Sequence, residues 1–260
     1  MNQSEYIKKY KRNKLFIKIM QLLILISFIV IWQILSSTGI INAFIYSSPY
    51  NVFMTIKNLS ISGELFVHIL TTLWEIFIAF ILGISLGFLI SILFYEYPTL
   101  AKIFDPYLTV LNSLPKVALG PIIIILTGAN TKSIILMALL INLIVSIISI
   151  YSGLQETDKI RLKMFDTFKA TRIQKLKMLV LPSAYNSIIA SLKLNISLTL
   201  IGVITGEFLV SKAGIGYLII YGTQVFNLDL VISGIIILLI ISYILYKGVI
   251  LLEKALIKTN

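Results

Sequence analysis

The sequence predicts an all-α, polytopic membrane protein with about six transmembrane helices and both termini in the cytoplasm. Three observations carry that expectation. Of 260 residues, 58% are apolar and only 13% charged, with a mean hydropathy of +0.98; a soluble domain has about 25% charged residues. Six apolar stretches are each long enough to cross a bilayer, which takes about 20 residues. The 22 Lys and Arg against 11 Asp and Glu are concentrated in alternate connections. Together these exclude a soluble globular domain, a disordered tail and a fibrous repeat.

The stretches are 16–36, 70–94, 107–126, 133–151, 187–210 and 228–252. The first follows a basic head of Lys8, Lys9, Lys11, Arg12 and Lys14. That arrangement also suits a signal peptide, but the run is too long for an h-region and no A-x-A-like site follows, so it reads as an uncleaved helix. Ser47-Ser48-Pro49 then precedes Val52, Phe53, Ile56 and Leu59 at helical spacing. Proline suits a first helical turn, and the pattern predicts a short interfacial amphipathic helix. Residues 1–62 thus read as head, first span and external helix, and 63–260 as the core. Tyr95–Asp105 reads as a loop. Gln155–Lys177 is the one long polar stretch, with seven Lys or Arg. Its Ile160, Met164 and Phe168 recur every fourth residue, and Ile173, Leu176 and Leu179 every third. Two short amphipathic helices with a bend near Lys169 follow from that spacing, and Pro182 turns the chain into the fifth span.

With the N-terminus inside, 17 of the 22 basic residues fall in the head, the Tyr95–Asp105 loop, the Gln155–Lys177 segment and the tail. Only Lys57, Lys132 and Lys212 fall outside, as the positive-inside bias requires. The charge excess therefore reports topology, not nucleic acid.

The chain has no cysteine and one histidine, His68. Disulfides, thiolate metal sites and cysteine nucleophiles are excluded, and no metal or catalytic constellation is expected. No G-x-x-x-x-G-K-[ST] or complete G-x-G-x-x-G occurs, so nucleotide must bind elsewhere. The intramembrane charges Glu75, Glu207, Lys116 and Lys193 are too scattered for a proton relay. A charged segment with an apolar stripe must cover something, either bilayer or partner.

The run Phe165-Asp-Thr-Phe-Lys-Ala-Thr-Arg-Ile-Gln-Lys-Leu-Lys-Met-Leu-Val-Leu-Pro182 resembles the cytoplasmic signature of binding-protein-dependent ABC importer permeases, an E-A-A run, a glycine and a spacer ending in Leu-Pro. Leu181-Pro182 keeps the spacing. Lys169 stands at the glycine, and Lys163, Met164 and Phe165 at E-A-A. Ser48-Pro49, Leu114-Pro115-Lys116-Val-Ala-Leu-Gly-Pro121 and Gly206-Glu207-Phe-Leu-Val-Ser-Lys-Ala-Gly214-Ile-Gly216-Tyr217 are similar to segments of the nitrate/sulfonate/taurine branch, which also handles thiamine-precursor pyrimidines. The resemblance spans about Trp32 to Glu253. It implies a multi-pass plasma-membrane permease, itself not an enzyme, forming the pathway for a small anionic or heterocyclic solute. It further implies a permease homodimer, two ATPase subunits that bind ATP and Mg, and an extracytoplasmic solute-binding protein. This chain itself would bind no cofactor. Rival readings are an ion-gradient-driven secondary carrier and a non-transport assembly component.

On the resemblance, Met164, Phe165 and Phe168 supply apolar contact to the ATPase, Asp166, Lys169 and Arg172 polar contact, and Ala170, Leu181 and Pro182 the frame. A lysine at the glycine position implies a turn that avoids positive φ or carries a small strain. Candidate pathway or gate residues are Pro115, Pro121, Lys193, Asn195, Glu207, Gly214 and Gly216. Lys193 lies about 16 Å along a helix from Pro182, and either snorkels inward or attracts an anion. Glu207 is either hydrated, or fixes the Ser211–Thr223 loop or lines the pathway. Asn142 and Asn195 suit interhelical hydrogen bonds more than substrate contacts. Gly83-x-x-x-Gly87 and Gly202-x-x-x-Gly206 suit close helix packing, within the chain more than at a dimer seam.

Overall fold

The computed structural model describes residues 3–257, with side chains from 10 to 254 except at 43. The basic residues Lys8, Lys9 and Lys258 therefore lie outside the described side chains. Thirteen α-helices run in order among the described residues: α1 (Gln3–Ser37), α2 (Ala43–Tyr46), α3 (Pro49–Ile61), α4 (Glu64–Glu96), α5 (Pro98–Ser113), α6 (Gly120–Thr127), α7 (Thr131–Gln155), α8 (Lys159–Thr167), α9 (Arg172–Lys175), α10 (Leu181–Ser183), α11 (Tyr185–Val210), α12 (Ile215–Gln224) and α13 (Leu228–Ile257). A 3₁₀ turn (Lys116–Leu119) precedes α6, and a π turn (Leu176–Val180) joins α9 to α10.

Five helices, α1, α4, α7, α11 and α13, are long and apolar enough to span a membrane, and the bent pair Pro98–Ser113 with Lys116–Thr127 makes a sixth if it counts as one. The third stretch is thus not a straight helix: its halves meet at 90°. The break lies at Leu114-Pro115, because a residue before proline is pushed out of the helical region, and Leu114 has ψ 138°. Pro121 does not break anything; it sits in the first turn of α6, where its missing N–H costs nothing. Tyr95–Asp105, expected as a loop, is helical from Pro98 onward.

The chain forms two compact units, one running to Glu64 and including Tyr221–Ser233, the other Leu65–Ile220 with the chain from Gly234 onward. In the first, Ser48 caps α3 through the Asn51 N–H (3.1 Å), with Pro49 opening the helix. The Ser36 hydroxyl donates to the Ser47 carbonyl (3.1 Å). In the second, α7 lies between α4 and α11. A Cβ built at Gly83 or Gly87 would fall on Asn142 or Ser146, and one at Gly202 or Gly206 would fall within about 3 Å of Ala138 or Ile134. Both small-residue pairs therefore pack against α7 within this chain. Asn142, fully buried, donates to the Ala79 carbonyl (3.0 Å) and the Thr199 hydroxyl (2.7 Å), tying the three helices together.

Candidate functional site: the 155–183 segment and the loop after α11

Residues 155–183 connect two spans with a chain that folds on its own rules. Asp158 caps α8 through the Ile160 N–H (2.8 Å). At its other end the Lys169 N–H donates to Asp166 O (2.9 Å) and the Ala170 N–H to Phe165 O (3.1 Å). These crossed bonds are a Schellman motif, and its C′ residue takes a left-handed conformation that favours glycine. That residue is Lys169, at φ 54°. The turn therefore does not avoid positive φ; it carries the strain. Thr171 starts the next helix with a capping box, its hydroxyl accepting from the Gln174 N–H (3.3 Å) and the Gln174 side chain accepting from the Thr171 N–H (2.7 Å). Lys175 pairs with Asp166 across the bend. The π turn then widens the helix ahead of Pro182, whose ring would otherwise press on the preceding turn.

One face of this segment is anchored and the other is open. Leu162, Leu176 and Leu181 pack on a buried cluster of Ile150, Leu154, Val180 and Ala184. Ile160, Met164 and Phe168 point away from it, 78%, 48% and 76% exposed. Phe165 and Ala170 are half-buried, while Arg172 and Pro182 are exposed. Leu181 packs on the core, and Asp166, itself exposed, pairs with Lys175. One expectation changes here. The second stripe splits, with Leu179 buried, Leu176 half-buried and Ile173 exposed.

The loop after α11 is organised by Glu207, which is buried (1% exposed), not hydrated. Its carboxylate accepts from the Thr72 hydroxyl (2.6 Å) and the Gly216 N–H (2.5 Å). The Thr72 hydroxyl in turn accepts from the Ile215 N–H (2.8 Å), and the His68 Nδ1 from the Gly214 N–H (2.9 Å). A helix start leaves orphan N–H groups with partial positive charge, and a carboxylate satisfies both. Here Glu207, Thr72 and His68 serve the first turn of α12. His68 also stacks on Tyr217, with ring centroids 5.8 Å apart. Gly214 has φ 119°, and its Cβ position lies 2.3 Å from a Glu207 carboxyl oxygen; that of Gly216 lies 2.7 Å away. Both glycines exist so that the backbone can close on this carboxylate. Glu207, Gly214 and Gly216 thus form a clasp, and Thr72 and His68 are its partners that sequence reasoning missed. Their separation of more than 130 residues leaves no local signal.

The remaining candidates are dispersed. Lys193 is held by Glu253 (2.8 Å), so its charge is already paired and it is not a free anion attractor. Asn195 is fully buried and, among the described residues, donates within its own helix, to Ser191, whereas Asn142 makes the expected interhelical bond. Pro115 and Pro121 bracket the bend between α5 and α6. No group of three or more metal-ligating side chains occurs among the described residues.

Against known proteins, residues 79–258 match the family model described as "Binding-protein-dependent transport system inner membrane component". The chain is 29% identical to the putative aliphatic sulfonates transport permease protein SsuC of Bacillus subtilis (strain 168), over 88% of this chain and 83% of that one. It is 30% identical to the formylaminopyrimidine transport permease protein ThiX of Halalkalibacterium halodurans, over 72% and 74%. With the taurine transport system permease protein TauC of Escherichia coli (strain K12) it shares 23% over 87% and 84%. Among solved structures it is similar in fold to a chain of the inward-facing MetNI methionine ABC transporter. The TM-score is 0.66 at 16% identity, covering 74% of this chain and 96% of that one.

Proposed function

The chain belongs to the family of binding-protein-dependent transport system inner membrane components, and on that premise we propose how this multi-pass ABC importer permease is built into a working transporter. Two copies form the translocation pathway. Two ATPase subunits, carrying ATP and Mg, dock on the cytoplasmic 155–183 segments, and an extracytoplasmic solute-binding protein delivers the solute. Residues 1–62 comprise the head, first span and external helix, and 63–260 the permease core.

The observation that carries this reading is the open stripe of Ile160, Met164 and Phe168. A helix whose other face is packed through Leu162, and whose ends are capped by Asp158 and a Schellman motif, is a rigid presenter of that stripe. Exposed apolar side chains on a rigid helix outside the spans call for a groove to enter. Arg172 and Lys169 flank the stripe and suit an acidic rim.

The orientation is supported by charge: 17 of 22 basic residues fall in segments that share one side if the N-terminus, the 155–183 segment and the C-terminus are cytoplasmic.

For the solute, the SsuC, TauC and ThiX names support a small sulfonate, taurine-like or pyrimidine-type molecule. The test is Phe168→Asp in the complex. Burying an aromatic ring contributes roughly 1.5–3 kcal/mol, and a charge in its place costs that and more. The variant is expected to insert normally, lose its ATPase on purification and lose transport. Full ATPase recovery with full transport would refute the docking role.

A further inference from the structure

Glu75, on α4, is 1% exposed, and neither of its carboxyl oxygens meets a hydrogen-bond donor among the described residues. It lies three residues beyond Thr72 and so shares its helix face. The Thr72 hydroxyl already reaches the Glu207 carboxylate at 2.6 Å. The polar neighbours of the Glu75 carboxyl are the Glu207 carboxyl on α11 and the Thr131 side chain at the start of α7. Two acids that the sequence scatters are thus brought face to face, within hydrogen-bonding reach, inside one unit.

Two ionised carboxylates would not stay together there. An ionised carboxyl group only accepts hydrogen bonds, whereas a protonated one also donates. A buried charge is costly unless it is paired, and like charges in contact do not both ionise. Among the described residues the ion-paired cations serve Asp158, Asp166 and Glu253, and none pairs with Glu75 or Glu207. His68 turns its Nδ1 to the Gly214 N–H as an acceptor. Glu207 receives the Thr72 hydroxyl and the Gly216 N–H (2.5 Å), the surroundings of a carboxylate. Glu75 receives nothing, the surroundings of a group that gives a hydrogen bond. A divalent metal ion needs six or more oxygen ligands, and no group of three metal-ligating side chains occurs among the described residues. A single proton between the two acids satisfies both.

We propose that Glu75 is a resident proton site, a neutral carboxylic acid that donates its O–H to the Glu207 carboxylate and so positions it. The pair then carries one negative charge in place of two. Glu207 is held from α4 by two donors, Thr72 and Glu75, while it holds the first turn of α12 through Gly216. The proton is thus part of the clasp that joins α4, α11 and α12.

The test is infrared difference spectroscopy of the full-length permease in lipid nanodiscs at neutral pH, wild type against Glu75→Gln and Glu75→Met. Cooperative thermal unfolding reports that each variant is folded. Wild type minus Glu75→Gln should show one carboxylic-acid carbonyl band and no loss of carboxylate stretches. Glu75→Met should lose the same band, and it carries the measurement if the glutamine variant does not fold. Glutamine keeps a donor of similar reach and methionine does not. The Glu207 carboxylate stretch should therefore shift in Glu75→Met and stay in place in Glu75→Gln, a difference that a merely space-filling Glu75 would not produce. Loss of carboxylate stretches in place of the acid band shows an ionised Glu75 and overturns the proposal. An unmoved Glu207 stretch in Glu75→Met overturns the positioning role. So does a wild-type thermal midpoint higher in NaCl or KCl than in choline chloride, with that difference absent in Glu75→Gln, because it would mark a bound metal cation instead of a proton.

Discussion

Replacing Lys169 by glycine should stabilise the 155–183 segment. Lys169 sits at φ 54° as the C′ residue of a Schellman motif, with its N–H on Asp166 O and the following N–H on Phe165 O. For a residue with a Cβ that conformation costs about 1–2 kcal/mol. Glycine removes the cost but makes the unfolded segment freer, which returns about 0.4–1 kcal/mol. The balance is a gain of between about zero and about 1.6 kcal/mol, the reverse of the loss expected for glycine placed inside a helix. Hydrogen exchange of the Ala170 amide, the donor that closes the motif, reads this directly. A gain of about 1 kcal/mol slows exchange about fivefold if the turn opens locally. Lys169→Pro is the opposing control: proline cannot reach φ 54° and removes the bond to Asp166, so exchange should accelerate more than tenfold. Lys169→Gly exchanging faster than wild type would refute the left-handed turn and the reasoning built on it. The same position tests charge. Lys169→Glu should keep the bend yet reduce substrate-stimulated ATP hydrolysis at low salt, where screening is weakest.

Gly214→Ala should lower the thermal midpoint in nanodiscs while leaving ATPase recovery intact, because a Cβ at φ 119° falls 2.3 Å from the Glu207 carboxyl and strain of this kind costs about 1–3 kcal/mol. Asn142→Leu leaves the Ala79 carbonyl and Thr199 hydroxyl without their bridge; at about 0.6 kcal/mol per interhelical bond in a membrane, a loss near 1 kcal/mol in a denaturant titration is expected. A double-mutant cycle of Lys193→Met and Glu253→Gln should return a coupling of up to about 1 kcal/mol for the half-exposed pair; additivity would show that the ion pair contributes nothing.

The spans, the helix opened by Pro49 and the bend near Lys169 are all legible in the chain because each is local. A bilayer demands about 20 apolar residues in a row, a helix repeats its face every 3.6 residues, and Ser48-Pro49 is a cap and a first turn read in order. The third span was harder. Pro98 announces a helix start, but the charges at Lys102 and Asp105 and the internal Pro106 imitate a loop. The stripe at Ile160, Met164 and Phe168 was readable, and so was its polar flank. Which apolar residues of the segment face inward was not, because Leu176, Leu179 and Leu181 are turned to the core by the π turn, a register shift with no sequence period of its own.

Composition and spacing alone determined that this chain is an all-helical membrane protein, since desolvation of the backbone and of charge acts on every segment independently of its neighbours. The tertiary structure alone decided what the polar residues inside it do. Glu207 could have been a hydrated acid or a pathway ligand until Thr72 and His68, contributed by another helix, closed a clasp around the start of α12. Lys193 could have been a gate charge until Glu253 met it. The sign of φ at Lys169 came from two crossed hydrogen bonds that no residue type dictates. A polar group in a low-dielectric interior takes its role from whichever partner satisfies it, and those partners lie tens to hundreds of residues away along the chain.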